Sequence, residues 1–170
     1  MGFSNHFKVQ FKVTPDMDPG SKVSVKLDYV PLLKTGLNFP VELSTAGVFL
    51  KPPCSAKMSS LVVIGHFDTG ASSTTIDINL AKHLNLIPVG ESVMQTAGGT
   101  QTTPDFYIDM GFPGTNLRPF HNLKIGSCTL PFNLGNGLDP GNFGILIGRD
   151  IMSRWNIVWN GPSSTVFIND

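Results

Sequence analysis

The stretch VVIGHFDTGASSTT, residues 62–75, places a carboxylate directly after an apolar run and directly before a turn. The run that ends at Phe67 is suited to a strand covered on both faces. A carboxylate beside apolar neighbours is costly unless it is hydrogen-bonded, neutralised or used in chemistry. Gly70 lets the backbone turn sharply, and Thr69 offers a hydroxyl that can tie the loop. The position of Asp68 therefore needs an explanation from the rest of the chain.

Composition indicates one β-rich domain. The chain has 170 residues, enough for one domain with a sizeable core. Charged residues make up 14% of it, against a usual ~25%, and its 18 Gly and 13 Pro indicate many turns. Lys plus Arg number 12, as do Asp plus Glu, so no excess charge attracts nucleic acid or an anionic membrane. We therefore expect an all-β fold and neither nucleic acid nor membrane as a partner.

Alternating apolar residues predict strands along the chain. Residues 7–13 and 23–29 alternate in this way, and the Pro- and Gly-containing segment between them favours a reversal, so a hairpin with a long turn is predicted. Further strands are predicted near Val41, over residues 61–67, and in two later pairs separated by glycine turns.

Two short helices are predicted as well. Apolar residues recur at helical spacing from Ile76 to Ile87, where Thr75 or Asp77 can cap the start and Asn85 lies near the end. The segment DIMSRW, residues 150–155, indicates a second short helix.

Two other segments bear on Asp68. TAGGTQ, residues 96–101, places Gly98 and Gly99 at the tip of a predicted hairpin, where small residues can lie over a bound peptide. FGILIGRD, residues 143–150, is a buried-strand run that ends in Gly148. Each segment alone is ordinary, because a Gly-Gly hairpin is usually only a turn and an apolar run is usually only core.

Taken in chain order, VVIGHFDTGAS, MQTAGGTQT and ILIGRDIMSRW resemble the retropepsins, the retroviral-type aspartic proteases. That family has an apolar strand ending in Asp-Thr-Gly-Ala, then a glycine-rich hairpin called the flap, then an apolar run ending in Gly-Arg-Asp or Gly-Arg-Asn. The segment STTIDINLAKHLNLIP, residues 73–88, is similar to cellular and bacterial members.

The resemblance covers about residues 38–170. It implies an all-β, retropepsin-like (acid protease) half-barrel with one or two short helices, functioning as a two-fold dimer. We therefore predict an N-terminal β-hairpin extension, residues 1–36, and a protease domain, residues 37–170.

The implied activity is that of an aspartic endopeptidase acting on extended, apolar peptide segments. In this chemistry two carboxylates share one proton and one water. The chain contains one Asp-Thr-Gly motif, and neither Asp139 nor Asp150 stands in a second one. The resemblance therefore implies a homodimer in which each chain supplies its Asp68, and the two carboxylates titrate as a coupled pair.

The resemblance also assigns roles around Asp68. Thr69 is expected to bond across the dimer axis, and the backbone from Gly70 onward to hold an extended peptide beneath the flap. Ala71 cannot donate a hydrogen bond to the carboxylate as a serine there would, so we expect activity at mildly acidic to neutral pH. The implied active-site loop consists of Thr69, Gly70 and Ala71. The implied substrate-binding and flap residues are Ser72, Ala97, Gly98, Gly99 and Thr100. Structural support is expected from Ile147, Gly148, Arg149 and Asp150.

One departure from the viral pattern concerns Arg149. Retroviral members usually carry an Asp four residues after the catalytic one, which pairs with this arginine, and Ser72 stands there instead. Arg149 is expected to pair with Asp150 or with a carboxylate of the extension. The C-terminal segment TVFIN, residues 165–169, fits the interleaved strands of such dimers, and residues 1–36 either extend that interface or mask a sheet edge.

No metal or cofactor is expected. His66 is interpreted as a structural histidine rather than one that tunes the dyad. The other histidines show no metal-ligand spacing, and Cys54 and Cys128 are too few for a disulfide framework or a zinc site. The chain shows no secretory signal and no apolar stretch of ~20 residues, so we expect a soluble, intracellular protein.

Two alternatives remain open. One is a catalytically silent retropepsin-like dimer that holds a peptide or serves as an assembly module. The other is a β-sandwich structural subunit in which Asp68 carries no activity.

Overall fold

The computed structural model describes residues 10–12, 23–26, 36–47, 60–96, 98–115, 117–139, 141–160 and 165–170. Within these ranges the chain forms strands, two short α-helices and one 3-10 turn at Leu134–Asn136. The strands are β1 (Gln10–Lys12), β2 (Val23–Lys26), β3 (Asn38–Thr45), β4 (Ser60–Phe67), β5 (Thr75–Asp77), β6 (Gly90–Thr96), β7 (Gly99–Gly111), β8 (Phe120–Cys128), β9 (Phe143–Ile147), β10 (Asn156–Asn160) and β11 (Thr165–Asn169), and the helices are α1 (Ile78–His83) and α2 (Arg149–Met152). The predicted all-β fold with one or two short helices is confirmed.

Six strands close into a barrel. Their order is β3-β4-β9-β5-β8-β7, and β7 pairs back with β3, where Leu43 lies opposite Met110. Strand β6 pairs antiparallel with β7 from Gly90 to Thr96, so the two strands form a hairpin that extends beyond the barrel. The predicted pair of strands around the Gly-Gly turn is confirmed, and Gly99 there adopts a φ of 113°, a value that favours glycine.

The barrel brings the ends of two separate segments side by side. Strand β4 runs parallel to β9, with Phe67 opposite Ile147, and β9 pairs on its other side with β5. Residues that follow β4 and β9 in the chain therefore leave the barrel at the same end. That end carries both Asp68 and Gly148.

The core fills the barrel interior. Phe39, Val41, Ile108, Ile145 and Ile147 are at most 1% exposed. Strand β4 is buried at Val63, Ile64, Gly65 and Phe67, so its second half is covered on both faces as predicted, while Val62 remains 39% exposed.

Helix α1 is shorter than the periodicity predicts. The helical pattern places its start at Ile76, but Thr75–Asp77 form β5, which pairs with both β8 and β9. Asp77 is the cap, as expected: its carboxylate accepts hydrogen bonds from the backbone N–H groups of Asn79 and Leu80 at 2.9 and 3.0 Å. Pairing with the two neighbouring strands therefore makes these residues a strand, although helical spacing alone predicts that the helix begins here.

A second sheet has the order β1-β2-β11-β10. Of the predicted N-terminal hairpin, residues 10–12 and 23–26 are described, and β1 pairs antiparallel with β2 there. Strand β11 pairs with β10 on one side and with β2 of the same chain on the other. The division into an extension and a protease domain stays a prediction. No helix in the described ranges is long and apolar enough to cross a membrane.

Candidate active site

Asp68 lies in a cleft beside the β6–β7 hairpin. The cleft has a volume of about 620 Å³. It is lined by Asp68, Gly70, Ala71, Ser72, Ser73, Thr75, Val93, Met94, Gln95, Cys128 and Leu146. The turn after β4 therefore forms one wall, and β6 forms the other.

The turn holds the Asp68 carboxylate in place. Its Oδ1 accepts a 2.7 Å hydrogen bond from the N–H of Gly70, and its backbone carbonyl accepts one from Ala71 at 3.1 Å. The N–H of Asp68 donates to the carbonyl of Ile147 at 3.1 Å, which ties the turn to the end of β9. Asp68 is half-buried, whereas Thr69 and Gly70 are exposed. This arrangement presents a fixed carboxylate to the cleft.

Thr74 joins the turn to the start of α2. Its hydroxyl donates to Asp150 Oδ1 at 2.7 Å and accepts the N–H of Gly148 at 3.0 Å. Its N–H donates to Asp150 Oδ2 at 3.0 Å. The backbone N–H groups of Arg149 and Asp150 donate to the carbonyls of Ala71 and Ser72. The segments after β4 and β9 therefore form one hydrogen-bonded unit.

The structure corrects the predicted pairing of Arg149 with Asp150. The Asp150 carboxylate is bound by Thr74 and by the N–H of Ile151, whereas the Arg149 guanidinium donates to the carbonyl of Thr69 at 2.8 Å. Among the described residues Arg149 forms no ion pair. The pairing with Asp150 was wrong because the two side chains point to different partners, and with Ser72 in place of an acid the guanidinium binds backbone oxygens of the turn. The alternative partner, a carboxylate of the extension, lies outside the described residues.

Gly148 is required by the close approach of two backbones. A Cβ at this position would lie 2.5 Å from the backbone carbon of Ser73 and 2.7 Å from its carbonyl oxygen. Both atoms belong to the backbone, so neither can rotate away as a side chain can. The absence of a side chain at Gly148 is what lets the two segments meet.

His66 has a structural environment. Its Nδ1 lies 2.7 Å from Asn38 Oδ1, and its ring stacks on Phe143 with 4.6 Å between centroids. Burial lowers the pKa of His66, against an opposing influence of the Asp68 charge. These contacts agree with the structural interpretation.

The cleft brings together some of the predicted residues and not others. Asp68, Gly70, Ala71 and Ser72 line it. Gly98, Gly99 and Thr100 are exposed at the hairpin tip and do not belong to its lining, and Ala97 lies outside the described residues. Their assignment to substrate binding stays a prediction.

Sequence reasoning missed several cleft residues. Val93, Met94 and Gln95 of β6 line it, as does Cys128 at the end of β8. The Cys128 Sγ lies 3.4 Å from Thr75 Oγ1, and burial raises the pKa of this thiol. Val93, Met94 and Gln95 lie in a predicted strand, which does not reveal the strand face that meets Asp68, and Cys128 lies on β8, which was not predicted as a strand.

A second cavity of about 280 Å³ adjoins the cleft and is called here the side cavity. It shares Ser73, Thr75, Val93 and Met94 with the cleft, and its further lining is Thr74, Ser92, Asp105, Lys124, Ile125, Gly126 and Asp150. Burial acts to raise the pKa of Asp105, but hydrogen bonds from Lys124 and Ser92 outweigh it and hold that pKa below its usual value. Within the described ranges, no group of three or more His, Cys, Asp or Glu could hold a metal ion.

Comparison with known families matches residues 54–131 to a family model described as aspartyl protease. Comparison with curated protein sequences gave no significant match. Among solved structures, the crystal structure of a retropepsin-like aspartic protease from Rickettsia conorii is 15% identical, with 87% of this chain and 89% of that chain covered and a TM-score of 0.45. The solution structure of Simian Foamy Virus (mac) protease is 15% identical, with 65% of this chain and 88% of that chain covered and a TM-score of 0.35.

Proposed function

We propose that this chain, residues 54–131 of which match an aspartyl protease family model, is a retropepsin-like endopeptidase. Its nucleophile is a water activated by two Asp68 carboxylates, one from each chain of a homodimer. The observation that carries the proposal is the placement of Asp68. Its carboxylate is held by the Gly70 N–H at 2.7 Å and lines a cleft of about 620 Å³ beside a hairpin.

The chemistry follows from a pair of such carboxylates. One ionised Asp68 takes a proton from the water, while the protonated Asp68 of the second chain donates a hydrogen bond to the peptide carbonyl. The water attacks the carbonyl carbon, and the proton then passes to the leaving nitrogen as the C–N bond breaks.

Three features support a second copy as the source of the other carboxylate. The sequence contains a single Asp-Thr-Gly motif, and Thr69, next to Asp68 in the turn, is exposed. Strand β10, at the edge of its sheet, leaves Val158 58% exposed and Trp159 52% exposed. Exposed apolar side chains on a sheet edge favour association with another chain.

The cleft suits an extended peptide. Strand β6 is at the edge of the larger sheet, so a substrate strand can lie alongside the hairpin, which would act as the flap. Ala71, Val93, Met94 and Leu146 give the wall an apolar character that favours apolar side chains near the cut.

The test is digestion of a peptide library from about pH 4 to pH 8 at a series of protein concentrations. We expect cleavage whose rate per chain falls as the protein is diluted below its dimer dissociation constant, because a single chain lacks the second carboxylate. A rate per chain that does not depend on dilution would contradict the shared site. A stable dimer that cuts no peptide at any pH would favour the silent binding module instead.

Ala71→Ser is expected to move the acid side of the pH–rate profile to lower pH, because a serine hydroxyl at this position could donate a hydrogen bond to the carboxylate, which Ala71 cannot. The measurement is kcat/KM against pH for one library-derived peptide. Ser72→Ala, which changes the next side chain, is the control and should leave the profile in place. An unmoved profile for Ala71→Ser would refute the role given to this position.

A further inference from the structure

The side cavity contains a buried carboxylate that the proposed reaction does not use. Asp105 on β7 is 1% exposed. Its Oδ2 accepts hydrogen bonds from Lys124 Nζ at 2.9 Å and from Ser92 Oγ at 2.8 Å. Its Oδ1 is buried and has no hydrogen-bond partner among the described residues. One oxygen of the carboxylate is therefore fully bonded and the other is an unused acceptor.

An unused acceptor in a buried carboxylate is unusual. Most buried polar atoms have a partner, and leaving one unpaired costs free energy that a hydrogen-bond donor would recover. Because Asp105 lines a cavity that adjoins the cleft and shares four lining residues with it, a side chain of a peptide in the cleft is a candidate source of that donor.

Because Oδ1 is buried, a donor reaches it only if a neighbouring side chain moves. Gly126 on β8 faces it, since a Cβ built there would lie 3.7 Å from Asp105 Oδ1. The same point lies 3.4 Å from Met94 Cε, so the end of the Met94 side chain lies beside Gly126 and is the group that would move to admit a donor. Methionine is unbranched and adapts its shape readily, and Met94 lines both the cleft and the side cavity.

We propose that the side cavity is a specificity subsite that takes a substrate side chain ending in an amide, Gln or Asn, whose N–H donates to Asp105 Oδ1. The inference rests on the proposed function, because it treats the cleft as the site of a peptide. It also refines the expectation of apolar substrates: one position of the peptide carries a polar side chain.

Charge favours an amide over an acid at this subsite. Lys124 already offsets the charge of Asp105, so a neutral donor completes the site without adding charge. The other acid of the cavity, Asp150, is bound by Thr74 and Ile151. A Glu side chain has the shape of Gln, but its ionised carboxylate only accepts hydrogen bonds, so it has no donor for Asp105 Oδ1.

The experiment measures peptide binding to the Asp68→Asn protein, which is expected to hold peptides without cutting them. The probes are fluorescein-labelled decapeptides in which one position at a time is Gln or Glu, read by fluorescence polarisation. At one position we expect Gln to bind at least about tenfold tighter than Glu, the range of a hydrogen bond to a charged group.

Asp105→Asn, added to Asp68→Asn, is expected to reverse this preference. Lys124 and Ser92 both donate to the same oxygen, so the amide oxygen of the substituted side chain is held there and its NH₂ occupies the free position. An acceptor is thereby replaced with a donor, and the ratio of Gln to Glu affinity should fall below one.

Two further variants separate the subsite from general damage to the fold. Asp109→Asn changes another buried acid of β7, which lies 3.7 Å from His121 on β8, and should keep the original ratio. Gly126→Ala leaves Asp105 and Lys124 intact but narrows the approach to Asp105 Oδ1, so the ratio of Gln to Glu affinity should move toward one. This variant therefore tests the subsite even if the Asp105 variant does not fold.

The outcomes distinguish the two proposals. Either of two results would overturn the subsite. One is that Gln and Glu peptides bind within twofold of each other at every position. The other is that the ratio of Gln to Glu affinity is unchanged in both the Asp105 and Gly126 variants. A clear Gln preference in the Asp68→Asn protein, with no peptide cut by the wild type, would support the subsite and retire the proposed hydrolysis alone.

Discussion

Asp68→Asn is expected to lower kcat/KM for peptide hydrolysis by at least about 10³-fold, within the range of general acid–base catalysis. The amide cannot take a proton from water, and in the proposed homodimer both halves of the pair are changed at once. The free energy of unfolding should change little, because the amide oxygen of the substituted side chain can still accept the Gly70 N–H that Asp68 binds at 2.7 Å. Initial rates and thermal unfolding of the same preparation provide both readouts.

The chain offers a matched control for this variant. Asp139 Oδ1 accepts the N–H of Gly141 at 2.7 Å, which repeats the local geometry of Asp68 and Gly70 on an exposed turn away from the cleft. Asp139→Asn should therefore keep the wild-type rate. An Asp68→Asn protein that retains more than about a tenth of the wild-type kcat/KM would show that Asp68 is not the catalytic acid–base group.

Gly148→Ala is expected to lower the free energy of unfolding by about 3 kcal/mol, near the upper end for overpacking, because its Cβ would meet the backbone of Ser73. The φ of Gly148 is −89°, so the backbone itself would accept alanine and the cost is steric. The loss of activity should accompany the loss of stability, since Gly148 stands between Ile147, which binds the N–H of Asp68, and Arg149, which binds the carbonyl of Thr69. Urea unfolding at one fixed protein concentration measures the effect.

A second glycine separates steric cost from backbone strain. Gly114 has a φ of 74° with nothing within 4 Å of a Cβ built there. Gly114→Ala should cost about 1–2 kcal/mol through the left-handed conformation alone, and it should leave kcat/KM unchanged. If Gly148→Ala proved no more destabilising than Gly114→Ala, the close contact with Ser73 would not be the reason for glycine at that position.

Local sequence patterns predicted the elements more reliably than their partners. The strand before Asp68, the hairpin around Gly99 and the short helix after Gly148 can be recognised because alternation, glycine turns and helical spacing are properties of neighbouring residues. Helix α1 shows where this fails: Ile76 fits the helical spacing, yet pairing with β8 and β9 places it in a strand, Thr75–Asp77. Contacts with distant strands outweighed the local preference.

The same distinction applies to the site. Asp68 could be identified from its own motif, whereas the partner of Arg149 could not, because a side chain's partner depends on where separate segments meet. The cleft residues Val93 and Met94 gave no local signal for the same reason. Asp105 looked like an ordinary residue of a strand, and its unused oxygen is visible only once Lys124, Ser92 and Gly126 are placed around it.

The sequence by itself determined most of the strands, the turn that carries Asp68 and the presence of a single Asp-Thr-Gly motif within these 170 residues, on which the proposed homodimer rests. Only the tertiary structure decided that Thr74 links Gly148 to Asp150, that Arg149 binds the turn, and that Asp105 faces a cavity beside the cleft. The physical reason is the distance along the sequence over which each kind of interaction acts. Propensity and periodicity act between neighbours in the chain, while hydrogen bonds and close packing at a site join residues that are far apart in the sequence, as Arg149 and Thr69 are.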